Sequence, residues 1–189
     1  IGKRTIKVLN FSDDGSSHNG LKATSDFPNS GIVGGFSFSF WVKLDDSDTS
    51  DARTIYSARR TGGVASNAYF QDNYFKVFIN DDSGVSKLFR FDVEAASLVG
   101  DFTHFVFSWN GSFEGSSALL YVNGIENVTS YLDTTPNSGN ARKKIKTFSI
   151  GGTSASSASD DQGLDGSLFD LCFFNKLVSN EEVAELYSG

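Results

Sequence analysis

The sequence predicts an all-β fold, two antiparallel sheets packed as a sandwich with one short C-terminal helix, and three observations carry that reading. Of the 189 residues 14% are aromatic, with 18 Phe and 19 Gly against 2 Pro and no Met, and usage rich in Phe, Ser, Gly and Asp suits strands joined by turns. Apolar residues alternate with small or polar ones in many short runs. Turn signals separate those runs at near-regular spacing and without internal repeats, which favours a sandwich over a barrel or propeller. A chain of this length fits one domain, 1–189, able to bury roughly 70% of its unfolded surface without a metal or disulfide scaffold. Cys172 has no second cysteine to pair with.

The plainest strand is 36–44, Phe-Ser-Phe-Ser-Phe-Trp-Val-Lys-Leu, where Phe36, Phe38, Phe40, Val42 and Leu44 share one face. Further strands are predicted over 6–11, 53–58, 74–79, 88–93, 102–109, 119–122, 146–150 and 168–174. Gly34-Gly35, Asp82-Ser83-Gly84, Asn110-Gly111, Asn123-Gly124 and Gly151-Gly152 mark turns between them. Asn123-Gly124 is the sharpest signal, because a two-residue type I′ turn needs positive φ twice, so 119–127 reads as a hairpin. Long exposed loops are expected at 132–144 and 152–163. Ser179-Asn180-Glu181-Glu182 reads as a capping box, followed by Val183, Leu186 and Tyr187 on one helical face and Gly189 as a stop. The opening Ile1 and the absence of Met suggest an excised domain or processed product.

Charge narrows the partners. With 16 Lys+Arg against 23 Asp+Glu the net charge is -7 and the pI about 4.7, which opposes binding to nucleic acid. No apolar run approaches the ~20 residues of a membrane-spanning helix, so membrane insertion is not expected.

Three stretches in order carry a resemblance to a known family. They are the strand 36–44 with its Trp41-Val42-Lys43; the pair formed by 104–112 and Leu119-Leu120-Tyr121-Val122-Asn123-Gly124; and the closing run from Ser149-Ile150-Gly151-Gly152 through 164–171 and 174–179 to Glu182-Val183-Ala184-Glu185-Leu186-Tyr187. Together they resemble laminin G-like modules of the concanavalin A-like lectin/glucanase superfamily, which implies a jelly roll. The chain also resembles versions of this module found in large phage structural proteins. Members often hold a structural calcium with a carboxylate on the last strand. The matching position here is Phe169, with Asp170 one place on, and alternation would send Phe169, Leu171 and Phe173 into the core with Asp170 facing the other way.

Catalytic machinery is not visible. Glucanases of the superfamily carry paired carboxylates at Glu-x-Asp-x-(x)-Glu spacing. The Glu residues here, Glu94, Glu114, Glu126, Glu181, Glu182 and Glu185, form no such pattern. The only histidines are His104, expected as a packed or edge residue, and His18 in a Ser/Gly loop. Cys172, Trp41 and Trp109 read as packing residues. The expectation is a chain that is not an enzyme.

Binding residues can be named. Sugar recognition stacks an apolar ring face on an exposed aromatic while polar groups take the hydroxyls, and Tyr69, Asp72, Asn73 and Tyr74, beside Arg59 and Arg60, offer that combination. Hard oxygen ligands for calcium gather at Asp160, Asp161 and Asp165, next to a Gly that permits a tight wrap. The expected function is a non-catalytic binding or adhesion module of a larger extracellular or virion-surface protein, with a glycan as first-choice ligand, held by loops at one end or on the concave sheet. The alternative is a purely structural domain that meets protein partners in a particle or surface layer.

Overall fold

The computed structural model describes residues 8–11, 21–23, 35–60, 63–80, 85–112, 117–127, 130–136, 145–152 and 163–189. Among the described residues the strands form two sheets. The first has six strands in the order β1 (Leu9–Phe11), β13 (Gly166–Phe174), β3 (Phe36–Leu44), β8 (Thr103–Trp109), β9 (Ala118–Val122) and β10 (Ile125–Asn127). The second has seven: β11 (Ser130–Pro136), β7 (Val85–Asp92), β6 (Tyr74–Asn80), β5 (Gly63–Gln71), β4 (Arg53–Arg60), β12 (Ile145–Ile150) and β2 (Leu21–Ala23). The strand pairings are antiparallel throughout, as the resemblance to a jelly roll implies.

The core lies between the sheets and is aromatic. From the first sheet Phe36, Phe38, Phe40, Phe105, Phe107 and Trp109 face inward, and from the second Tyr56, Phe70, Phe75, Phe89 and Phe91 meet them. Phe38 joins the layers, its ring centroid 5.1 Å from Phe107 and 5.2 Å, edge-on, from Tyr56. Such pairs add to area burial because ring edges and faces carry opposite partial charge. The Tyr56 hydroxyl, fully enclosed, meets the Ser66 hydroxyl at 2.8 Å, and burial pushes its pKa up.

Two hairpins turn as their sequences require. Asn123 (φ 50) and Gly124 (φ 79) join β9 to β10. Asp72 (φ 54) and Asn73 (φ 60) make the matching two-residue turn between β5 and β6.

Three expectations are corrected. Residues 132–136, expected in a loop, extend β11 along β7. Phe169 does not join the core: a bulge between Phe169 and Cys172, with Asp170 at φ 54, resets the alternation. Leu168 therefore faces the core before the bulge, whereas Leu171 packs against it after, and Phe169 stacks on Trp41 outside the sandwich at 5.6 Å. Trp41 packs on the outer side, its ring 4.8 Å from that of His104, and Trp109 is buried in the core, so both are packing residues as expected. Cys172 is half-buried rather than enclosed.

The helix α1 (Asn180–Ser188) has the predicted capping box, with Ser179 accepting from the Glu182 N–H and the Glu182 carboxylate accepting from the Ser179 N–H. It covers the outer side of the six-stranded sheet, where Val106, Tyr121, Val178 and Val183 form a second, smaller core with Phe174 and Leu186. The chain entering the helix is pinned by Ser37, whose hydroxyl donates to the Lys176 carbonyl (2.8 Å) and accepts from the Val178 N–H (3.2 Å).

Candidate functional site

With α1 over the six-stranded sheet, the outward side of the seven-stranded sheet is left uncovered by the helix. Its register sets side chains in rows. Thr54, Tyr69, Lys76 and Arg90 lie opposite one another on β4, β5, β6 and β7, and the next row holds Ser57, Asn67, Phe78 and Leu88. The intervening residues Phe75, Val77 and Ile79 are buried in the core, so alternation turns Tyr74, Lys76, Phe78 and Asn80 outward.

Lys76 organises the hairpin end of this face. Its ammonium donates to Gln71 Oε1 (3.0 Å) and Asp72 Oδ2 (3.1 Å) and lies 6.0 Å from the centre of the Tyr69 ring and 5.9 Å from that of Tyr74. An ammonium has three N–H donors, so one remains for a ligand oxygen between two half-buried tyrosines. Burial pushes the Tyr69 hydroxyl pKa up, against the pull of the Arg90 charge. Beside the turn is an open cavity of about 410 Å³ lined by Asp72, Asn73, Tyr74, Asp92, Val93 and Glu94.

The six predicted binding residues separate into two groups. Tyr69, Asp72 and Tyr74 surround Lys76. Asn73 belongs to the frame at the same turn: its carboxamide oxygen accepts from the Ala95 N–H at 3.1 Å and its carbonyl from the Val93 N–H at 3.0 Å, fixing the start of the 3-10 turn Ala95–Leu98. Arg59 and Arg60 pair with Val64 and Gly63, at the opposite end of β5, roughly 26 Å away by the ~3.3 Å rise of a strand. Lys76, which sequence reading treated as part of a plain strand, emerges as the residue between the tyrosines. Only cross-strand register could have shown that.

Of the predicted calcium ligands, Asp160 and Asp161 lie outside the described residues. Asp165 precedes β13, its carbonyl accepting the Asp45 N–H at 3.2 Å. Among the described residues, no group of three or more His, Cys, Asp or Glu side chains is placed to hold a metal ion.

His104 is 2% exposed on the outer side of the six-stranded sheet. Its ring lies 4.8 Å from Trp41 and 5.9 Å from Tyr187, and Nδ1 has no hydrogen-bond partner. Burial lowers its pKa to about 4, with Asp170 opposing, so it is neutral at pH 7.

Comparison with known proteins agrees with this architecture. The family described as concanavalin A-like lectin/glucanases superfamily matches residues 14–184. The chain belongs to that superfamily. No curated protein matches it by sequence. Among solved structures, a similar fold occurs in the botulinum neurotoxin serotype D ligand binding domain in complex with N-acetylneuraminic acid (TM-score 0.59, 21% identity, 97% of this chain and 46% of that one). It recurs in the receptor binding domain of the mosaic serotype C/D with tetraethylene glycol and sulfate bound (TM-score 0.60, 19% identity, 98% and 46%). The binding domain of botulinum neurotoxin DC in complex with rat synaptotagmin II is a third (TM-score 0.57, 14% identity, 97% and 46%). The chain thus spans about half the length of these structures, and at such identities the likeness is one of fold. Among the described residues, no helix is long and apolar enough to cross a membrane.

Proposed function

We propose that this superfamily member is a non-catalytic binding module of a larger extracellular or virion-surface protein, and that it recognises a glycan on the outward face of the seven-stranded sheet. The observation that carries the reading is Lys76 held between Tyr69 and Tyr74, with Asp72 at its side. A sugar ring packs its C–H face on tyrosine while the remaining Lys76 N–H donates to a hydroxyl or ring oxygen. Structural neighbours in complex with N-acetylneuraminic acid and with rat synaptotagmin II support a glycan or protein partner. Calcium held by Asp160, Asp161 and Asp165 is part of the proposal; its role would be structural rather than chemical.

The test is a glycan-array screen of the chain with calcium and with chelator, comparing wild type with Tyr74→Ala. Binding that Tyr74→Ala abolishes supports the site, and binding that chelation removes supports calcium. Silence towards all glycans refutes the glycan reading. It would favour the second reading, a structural or assembly domain, which draws on apolar side chains left in solvent elsewhere, Ile125 at 74% exposure on edge strand β10 and Leu177 at 50% between β13 and α1.

A further inference from the structure

Beyond Tyr69, the outward face carries hydrogen-bonding atoms that the fold leaves unused. Thr54 Oγ1, Ser57 Oγ, Asn67 Oδ1 and Asn80 Oδ1 are all enclosed and without a partner. The strand register puts these four on one side of one sheet, across β4, β5 and β6. Folded proteins seldom leave such atoms unpaired, because each forgoes its bonds to water and receives nothing in return. A concentration of them on one face therefore calls for a reason.

Asn67, Phe78 and Asn80 make the arrangement specific. Phe78 stands directly across from Asn67, and Asn80 follows two residues later on the same side of β6. All three are half-buried, so they reach the surface while Thr54 and Ser57 lie beneath. The Asn80 amide donates through Nδ2 to the Val64 carbonyl at 3.4 Å, which turns its Oδ1 away from that carbonyl. An aromatic ring is thus flanked by two carboxamide oxygens lacking donors.

We propose that Phe78, Asn67 and Asn80 form a subsite for an uncharged pyranose, whose C–H face packs on the Phe78 ring while two hydroxyls donate to Asn67 Oδ1 and Asn80 Oδ1. This rests on the glycan-binding reading and deepens it, since the row of Tyr69 and Lys76 is adjacent on the same strands. The ligand is then a saccharide of two or more units crossing both rows. The acceptor character of the two oxygens selects its chemistry: a hydroxyl supplies the missing proton, whereas a carboxylate or sulfate supplies none. Both oxygens are enclosed in the free protein, so the subsite requires each carboxamide to turn toward the ligand, and binding then pairs groups that the free protein leaves unpaired.

The experiment titrates wild type, Phe78→Ala, Asn67→Val and Tyr74→Ala with arrayed neutral oligosaccharides and, as a separate arm, sialylated and sulfated glycans, with thermal melts of every variant. The expected result is binding of a neutral oligosaccharide that Phe78→Ala and Asn67→Val each weaken at least tenfold. Asn67→Val should melt no lower than wild type, since Val suits a strand and removes the unpaired oxygen. Binding that survives Phe78→Ala and Asn67→Val but is lost in Tyr74→Ala overturns the subsite and leaves the hairpin-end reading standing. Binding confined to anionic glycans overturns the assignment of an uncharged ligand. A lower melting temperature for Asn67→Val shows that its amide serves the fold and overturns the argument from unused acceptors. A wild type that binds no glycan overturns both this inference and the reading beneath it.

Discussion

Replacing His104 by Phe should flatten the acid limb of this protein's stability curve. The imidazole is enclosed against Trp41 and Tyr187, which also stack on each other, with Nδ1 unpartnered, and its folded pKa is about 4 against ~6.5 for an exposed histidine. Between those values the unfolded chain binds the proton and the folded chain does not, so stability rises with pH there. His104 therefore costs nothing above pH ~6.5, and its penalty grows as the pH falls toward 4. The linkage integral gives a loss of about 2 kcal/mol by pH 5 and about 3 kcal/mol by pH 4. Asp170 is the charged group that acts on the imidazole, and it opposes burial. Phe retains an aromatic ring against Trp41 and Tyr187, and the backbone bonds of residue 104 to Asn123 are unaffected. Urea denaturation at pH 7.5, 6, 5 and 4.5 should show the wild type losing more stability than His104→Phe by about these amounts. Parallel curves for the two proteins would refute the reasoning, because carboxylate titration is common to both.

Three further outcomes follow from packing and capping. Gly166→Ala places a Cβ 2.1 Å from the Lys43 carbonyl oxygen at a residue with φ 148, so a loss of about 3 kcal/mol or more is expected by chemical denaturation. Tyr56→Phe removes the partner of the buried Ser66 hydroxyl and should cost about 1–2 kcal/mol, whereas Tyr69→Phe on the outer face should change stability little. Ser179→Ala breaks the capping box and should cost about 1 kcal/mol, read as a lower thermal midpoint with reduced helical circular dichroism.

Much of the fold was legible because alternation is a local property. The run 36–44 announced both its strand and its buried face, and Asn123-Gly124 announced its turn. Strand β5 was less legible: Gly-Val-Ala-Ser-Asn-Ala-Tyr-Phe-Gln has few large apolar residues, because Ala68 and Ser66 sit where the aromatic core leaves little room. The bulge at Asp170 was invisible for a related reason. A positive φ at a non-glycine residue is fixed by pairing with β3, and a strict period of two mispredicts every side chain on one side of it.

The candidate site was legible in part. Tyr69, Asp72 and Tyr74 were identified as chemistry near a turn, and they do meet, around a lysine that the sequence disguised as a strand residue. Arg59 and Arg60 are near them in the chain but belong to the other end of the hairpin, since a nine-residue strand separates what sequence distance seemed to join. By itself the sequence determined that this chain makes short amphipathic strands, tight turns and a capped terminal helix, because each depends on neighbours a few residues away. Which outward side chains stand beside one another, and which polar atoms go without partners, were decided only by the tertiary structure, because both depend on registers between strands far apart in the chain.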